Sequence, residues 1–204
     1  NYKTTKVNPS VVKMSKKMRL AIGISGASGA VYGIRLLEIL RELKVETHLI
    51  ITAWGRCILE QEIDMTFEKV RSLADYVYDN TDLSAGPSSG SFKLDGMVVI
   101  PCSMKTVASI SSGITSSLLT RVADVTLKEG RRLIIVPRET PLSAVHLKNL
   151  NDLSRFGVTI LPAMPGFYNK PKSLDDLVDH VVGKVLDQLG LEHTLYEPWK
   201  SSKE

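Results

Sequence analysis

The chain has 204 residues, of which 43% are hydrophobic and 24% charged, a globular balance that excludes disordered, collagen-like and coiled-coil chains. Its longest apolar runs, such as 97–101 and 133–137, fall far short of the roughly 20 residues that a membrane-spanning helix needs, so no membrane span is expected. The formal charge of +4 hints at nucleic acid, but Lys3, Lys6, Lys13, Lys16 and Lys17 lie in an acid-free opening segment. Without them 21 basic residues face 22 acidic ones, and no surface for phosphate backbones is predicted.

Residues 1–17 hold no apolar run of signal-peptide type and lack the arginines of an organelle presequence. They are read as a disordered or cloning-derived extension, followed by one domain over 18–190 and a tail over 191–204. Cys57 and Cys102 have no CxxC spacing and cannot frame a disulfide scaffold. That pattern fits a reducing compartment, and the cytoplasm is the expected location.

From Arg19 onward, short apolar runs alternate with amphipathic ones. Residues 19–25 form a strand that ends in glycines, and 31–43 carry Val31, Ile34, Leu37 and Leu40 at helical spacing. A second strand is predicted over 45–51, a helix over 53–62 and a further amphipathic piece over 66–74. Residues 79–92, rich in Ser, Gly and Asp, read as a loop. The alternation resumes with a strand at 97–101, helices at 103–112 and 118–128, a strand at 133–136, a helix at 142–156 and a strand at 158–161. Pro162, Pro165 and Pro171 bar a helix from the next stretch. A clean amphipathic helix follows over 174–189, with Ser173 as N-cap and Gly190 just past its end. Strands apolar throughout and separated by helices predict a Rossmann-like, three-layer α/β domain with a mainly parallel sheet of flavoprotein type.

Ligands of such sheets sit beyond the carboxyl ends of the strands. The first strand runs there into Ser25-Gly26-Ala27-Ser28-Gly29, whose glycines fit neither the GxGxxG dinucleotide fingerprint nor a P-loop. A tight turn that needs glycine only for packing explains the glycines equally well. The second strand ends at Thr52, where a dinucleotide site would place an acid for the ribose diol. The strand over 97–101 runs into Ser103-Met104-Lys105-Thr106, again hydroxyls, free amides and a cation at a helix start. Three strand ends suited to anions and none carrying an acid favour a mononucleotide such as FMN. The exception is the strand over 133–136, which ends in Arg138 and Glu139; a glutamate in a cleft beside arginines suits proton transfer, while a salt bridge to a neighbouring element is the structural alternative. His180 and His193 have no metal-ligand spacing, His146 is read as packing or facing an interface, and Cys102 as buried packing.

Taken together, GISGASGAVYGIRLLE (23–38), VETHLIIT (45–52), SSGSF (88–92), DGMVVIPCSMKT (95–106), the run over 118–150 containing PRETPLS, and the run over 161–190 containing AMPGFY resemble the UbiX-type flavin prenyltransferases. This family includes proteins once called phenylacrylic acid decarboxylases. The resemblance extends from about Met18 to Trp199. It implies a transferase that joins a dimethylallyl group from dimethylallyl monophosphate to N5 and C6 of reduced FMN. The product is the prenylated cofactor of UbiD-type decarboxylases, and no metal is required. It also implies a homo-oligomer, commonly a dodecamer, with active sites between subunits.

Carried over residue by residue, the resemblance places FMN contacts on Ser25, Gly26, Ala27, Thr52, Ser103, Met104, Lys105, Thr106 and Arg138. Ser28 falls near flavin N5, Glu139 in proton transfer, and Glu62 and Arg121 at polar positions around the active site. Lys128, Arg138, Tyr168 and Lys184 match the donor-phosphate positions, and Trp199 an aromatic near the pocket. Lys184 departs from the arginine of many members and so lacks the bidentate fork; Thr52 keeps the hydroxyl of the usual serine. Three rival readings are an FMN-dependent cysteine decarboxylase, a non-catalytic flavin-binding subunit and a direct phenolic-acid decarboxylase. The first favours Ala-Asn where this chain has Met104-Lys105.

Overall fold

A computed structural model of the chain describes residues 17–199. The extension read over 1–17 therefore lies outside the described residues except for Lys17, whose ammonium is 3.8 Å from Asp75. Six strands form one all-parallel sheet in the order β3-β2-β1-β4-β5-β6. They are β1 (Arg19–Ile24), β2 (Glu46–Ile51), β3 (Tyr76–Asp79), β4 (Gly96–Cys102), β5 (Arg132–Pro137) and β6 (Thr159–Ile160). The helices are α1 (Ala30–Glu42), α2 (Ala53–Glu62), α3 (Phe67–Arg71), α4 (Met104–Ser111), α5 (Leu118–Lys128), α6 (Ala144–Arg155) and α7 (Leu174–Leu189).

The period-2 alternation of a strand sorts its side chains into two cores. Leu20, Ile22, Ile24, Leu49, Val98, Ile100, Ile134 and Val136 face the layer that contains α1 and α7. Ala21, Ile50, Met97, Val99, Leu133 and Ile135 face the layer of α4 and α5. Both faces of the central strands are covered, which explains runs without a polar residue.

The sequence leaves β3 unassigned. It is a four-residue edge strand with two exposed residues, too short and too wet to show a buried-strand pattern. Only 67–71 of the expected piece over 66–74 is helical, the loop over 79–92 contains a 3₁₀ turn at Gly86–Ser88, and β6 keeps two of its four predicted residues. Helix α7 keeps its predicted bounds, its Ser173 cap and a left-handed Gly190.

The chain leaves β1 towards β2 on one side, while β4 lies against the other side of β1. That reversal opens a crevice beyond the carboxyl ends of β1 and β4. Helix α1 is pressed against this junction: a Cβ on Gly33 would stand 2.6 Å from the Ile100 carbonyl oxygen and 3.0 Å from Ile24. Alanine in place of an unhindered helical glycine stabilises by about 1 kcal/mol. Gly33→Ala is expected instead to destabilise the protein by about 1–3 kcal/mol, read as a lower denaturation midpoint.

Candidate functional site

The crevice is built on a latch. Ser25, 1% exposed, donates its hydroxyl to the Pro101 carbonyl at 3.0 Å and accepts the Ser103 amide at 2.7 Å. The latch ties the end of β1 to the end of β4. Gly26 then passes α2 so closely that a Cβ would lie 2.4 Å from Cβ of Trp54. Gly29 takes a left-handed φ of 102° and brings the chain into α1.

Gly29 has no side chain to cap that helix, and Glu62 from the end of α2 supplies one. Its carboxylate accepts the amides of Gly29 at 2.8 Å and Ala30 at 3.1 Å. Burial pushes the Glu62 carboxyl up, but hydrogen bonds from the Ser28 hydroxyl and the two amides, with the Arg138 charge, outweigh it and hold it below the ordinary glutamate value. Arg138 closes the ring by donating Nε–H to the Ser28 carbonyl at 3.0 Å, while its own amide donates to Cys102 at 3.3 Å. Ser28, Glu62 and Arg138 thus form one connected unit at the mouth of the crevice.

Thr52 and Ser103 occupy the N-caps of α2 and α4, accepting from Gly55 at 3.0 Å and Thr106 at 3.3 Å. Met104 and Thr106 are buried, whereas Lys105 is exposed. Beside Thr52 lies a cleft of about 440 Å³ walled by Arg56, Arg71, Tyr78 and Asp79. Asp79 ends the strand that the sequence did not show, so an acid does stand at one strand end. Its carboxylate is engaged by the Thr81 amide at 2.8 Å and hydroxyl at 2.7 Å, which hold it below its ordinary pKa. Glu139, exposed at the end of β5, accepts the Thr140 amide at 3.0 Å. Cys102 is fully buried and burial pushes its thiol far up, which leaves it without nucleophilic character.

The remaining predicted residues do not join this unit within one chain. Helix α5 begins beside Asn80, just past the end of β3, where Leu118 and Leu119 donate their amides to Asn80. It then runs back to the start of β5. Lys128 therefore sits at the opposite edge of the sheet from Arg138, roughly 20 Å away along a six-residue strand. There its ammonium pairs with Glu129 at 2.6 Å. Arg121 holds the 3₁₀ turn through the Ser88 carbonyl at 3.1 Å and pairs with Asp124 at 2.8 Å.

Tyr168, Lys184 and Trp199 form a third group, on the Pro-rich loop, α7 and the tail. The Tyr168 ring meets Trp199 edge-on at 5.5 Å and His180 at 5.7 Å. Lys184 lies over Tyr196 at 5.3 Å and 3.3 Å from Asp187, which also receives His193 and the Tyr196 hydroxyl. The sequence reading missed His180, Asp187 and Tyr196; the Lys184–Asp187 spacing of three on α7 was the available signal. His146, read as packing or an interface residue, belongs to the capping box of α6. Among the described residues no group of three or more His, Cys, Asp or Glu side chains is arranged to hold a metal. No described helix is long and apolar enough to cross a membrane.

The crevice suits FMN on its own chemistry: Gly26 and Ala27 leave the backbone bare, capped helix starts offer amides and hydroxyls, and Arg138 is fixed at its mouth. Because Glu62 is ionised below its usual pKa, the cap it provides is present above the ordinary value of about 4.3 and is lost as pH falls through the depressed one. Glu62→Gln is expected to lower stability by about 0.5–1 kcal/mol at pH 7, with the gap to the parent closing below about pH 4 in urea titrations.

The family model described as Flavoprotein matches residues 9–186. A probable UbiX-like flavin prenyltransferase of Streptomyces sp. (strain D7) is 51% identical over 183 residues, 89% of this chain and 92% of that protein. The mitochondrial flavin prenyltransferase PAD1 of Saccharomyces cerevisiae is 45% identical over 100% of this chain and 86% of its own length. Among solved structures, AnUbiX (PadA1), determined in complex with FMN and dimethylallyl pyrophosphate, superposes with a TM-score of 0.90 at 46% identity, covering 92% of this chain and 100% of that one. A dodecameric FMN-dependent UbiX-like decarboxylase from Escherichia coli O157:H7 gives 0.89 at 51% identity, covering 90% and 100%. An all-parallel flavoprotein sheet, a crevice that fits FMN and this likeness along nearly the whole chain lead to one assignment: the protein belongs to the Flavoprotein family and, within it, to the UbiX-like flavin prenyltransferases.

Proposed function

We propose that the protein transfers a dimethylallyl group from dimethylallyl monophosphate to reduced FMN, and that the prenylated flavin is passed to a UbiD-type decarboxylase. The observation that carries this reading is the Ser28–Glu62–Arg138 unit, which fixes a hydroxyl, a carboxylate and a guanidinium at the mouth of a crevice suited to FMN. FMN, when bound, supplies the nucleophilic N5 and C6 positions. Gly26, Ala27, Thr52 and the segment Ser103–Thr106 line and hold it, while Ser25, whose amide and hydroxyl are both engaged by Pro101, fixes the floor beneath. Arg138, anchored through Nε, keeps its two terminal nitrogens for an anion.

As the allylic C–O bond breaks, its electron pair leaves with the phosphate, and charge must be met without a metal. Fixed cations do this by preorganisation. Arg138, Lys184 and Lys128 supply them, Tyr168 a further donor, and the Tyr168–Trp199 pair an aromatic wall beside an allylic cation. Glu139, exposed at the crevice edge, is placed to accept a proton.

Lys128 reaches such a site only from another copy of the chain, since it lies at the far edge of its own sheet, whereas Arg121, in the first turn of α5, is turned to the Ser88 carbonyl and Asp124. Large apolar side chains left exposed, among them Val145, Phe156, Met164 and Phe167, fit a homo-oligomer, and a dodecamer is the proposed state. The unpaired cysteines support a reducing compartment, the cytoplasm; the mitochondrial matrix, equally reducing, is the alternative raised by the PAD1 relative.

Anaerobic incubation with reduced FMN and dimethylallyl monophosphate, or the diphosphate in parallel, should yield a flavin heavier by one dimethylallyl unit on mass spectrometry. Glu139→Gln and Lys128→Ala should each lower the yield by at least about a hundredfold while FMN stays bound. Unmodified FMN from a protein that binds it tightly would overturn the proposal. Lys128→Ala and Arg138→Ala subunits, inactive alone, should recover about one site in four when dissociated and reassembled together. No recovery would mean that both residues act from the same copy.

A further inference from the structure

Helix α7 carries two residues that a helix by itself disfavours. Gly183 stands in its middle, although glycine is the poorest helix former after proline. Asp187 stands in its last turn, where the helix dipole is negative and no basic residue offsets a carboxylate. Local choices that oppose their own element are met by a partner elsewhere in the fold. For both residues that partner is the tail over 191–199.

Leu191 and Leu195 pack, partly buried, against the core beside α7. Between and beyond them two rings lie flat on the helix. A Cβ on Gly183 would stand 2.6 Å from the Tyr196 ring and 2.8 Å from that of His193, so only glycine leaves room for them. Asp187 then gathers three donors. It accepts the Tyr196 hydroxyl, Nε2–H of His193 at 3.1 Å and the Lys184 ammonium at 3.3 Å. The Leu195 amide donates to Nδ1 of His193 at 3.2 Å, which leaves the ring hydrogen on Nε2 to face Asp187. Burial pushes the Asp187 carboxyl up, but the bonds from Tyr196, His193 and Lys184 outweigh it and hold it below the ordinary aspartate value. Three residues past Tyr196, the Trp199 ring meets Tyr168 edge-on at 5.5 Å.

We propose that Asp187 is a positioning residue: it docks the tail on α7 over Gly183 and thereby sets Trp199 against Tyr168 as the aromatic wall of the donor site. The docking stands apart from prenyl transfer, whereas its effect on the donor rests on that reading. Asp187 also holds Lys184 directly, so its action through the tail must be separated from its action on that charge.

Two variants separate them. Asp187→Asn removes the anion, and Gly183→Ala displaces the Tyr196 ring while leaving every charge in place. The whole protein loaded with FMN is treated with chymotrypsin, and cleavage after Tyr196 is followed by intact mass. Cleavage reports the population with the tail open, and both variants are expected to be cut about tenfold faster than the parent or more. Both should also raise KM for dimethylallyl monophosphate about fivefold or more, with kcat within about twofold and FMN affinity unchanged. Cleavage of Asp187→Asn at the parent rate would overturn the docking. A KM that rises in Asp187→Asn but not in Gly183→Ala would overturn the route through the tail, because Asp187 would then act on Lys184 alone. A KM unchanged in both would overturn the positioning role. A parent that transfers no prenyl group removes the transfer reading and the donor effect with it, and the cleavage rates still decide the docking.

Discussion

The arrangement depends on the reversal of strand order between β1 and β4 and on the single buried hydroxyl that locks it. Two parallel strands whose connections leave in opposite directions splay at their carboxyl ends, and the backbone groups there lose their ladder partners. The Ser25 hydroxyl answers both sides at once, donating to the Pro101 carbonyl and accepting the Ser103 amide. With the strands held, Gly26 can pass within contact of Trp54, and the loop through Ser28 is presented to α1 and to Arg138. The crevice therefore has a fixed shape before any ligand enters. That is the condition for charged groups to act without reorganising.

Glu62 has a second place in this scheme. Helix α1 starts at a glycine in the left-handed region, a geometry that the turn requires and that leaves the helix start without its own cap. The missing cap comes from the far end of α2, and the same carboxylate takes the Ser28 hydroxyl. Local folding chemistry and the presentation of a functional hydroxyl are thus served by one group. Its depressed pKa follows from the Ser28 hydroxyl and then the amides it satisfies, and is not by itself a sign of proton transfer.

The fold was largely legible because the central strands are buried on both faces and bounded by glycines, prolines and capping residues. Ser173 and Gly190 marked both ends of α7. What escaped was marginal in the physical sense: β3 is short and half wet, and β6 has two residues. The crevice residues were readable as strand ends with hydroxyls, but not the use of Ser25 as a latch, because its partners are more than 70 residues away. The cap from Glu62 and the tail contacts of Asp187 were equally invisible, since each depends on elements that meet only in the folded chain. The resemblance supplied Lys128 and Arg121 as site residues, and no sequence pattern could show that Lys128 stands at the opposite edge from Arg138.

A structure of the assembled protein with FMN and dimethylallyl monophosphate tests the central claim most directly, because that claim is a site made at the crevice of one copy and completed by a lysine from another. The account predicts the phosphate within about 4 Å of Arg138 from one copy and of Lys128 from its neighbour. FMN should lie along Ser25–Ser28 and Thr52. A phosphate bound with every Lys128 facing solvent, or FMN seated away from the β1–β4 crevice, would contradict it.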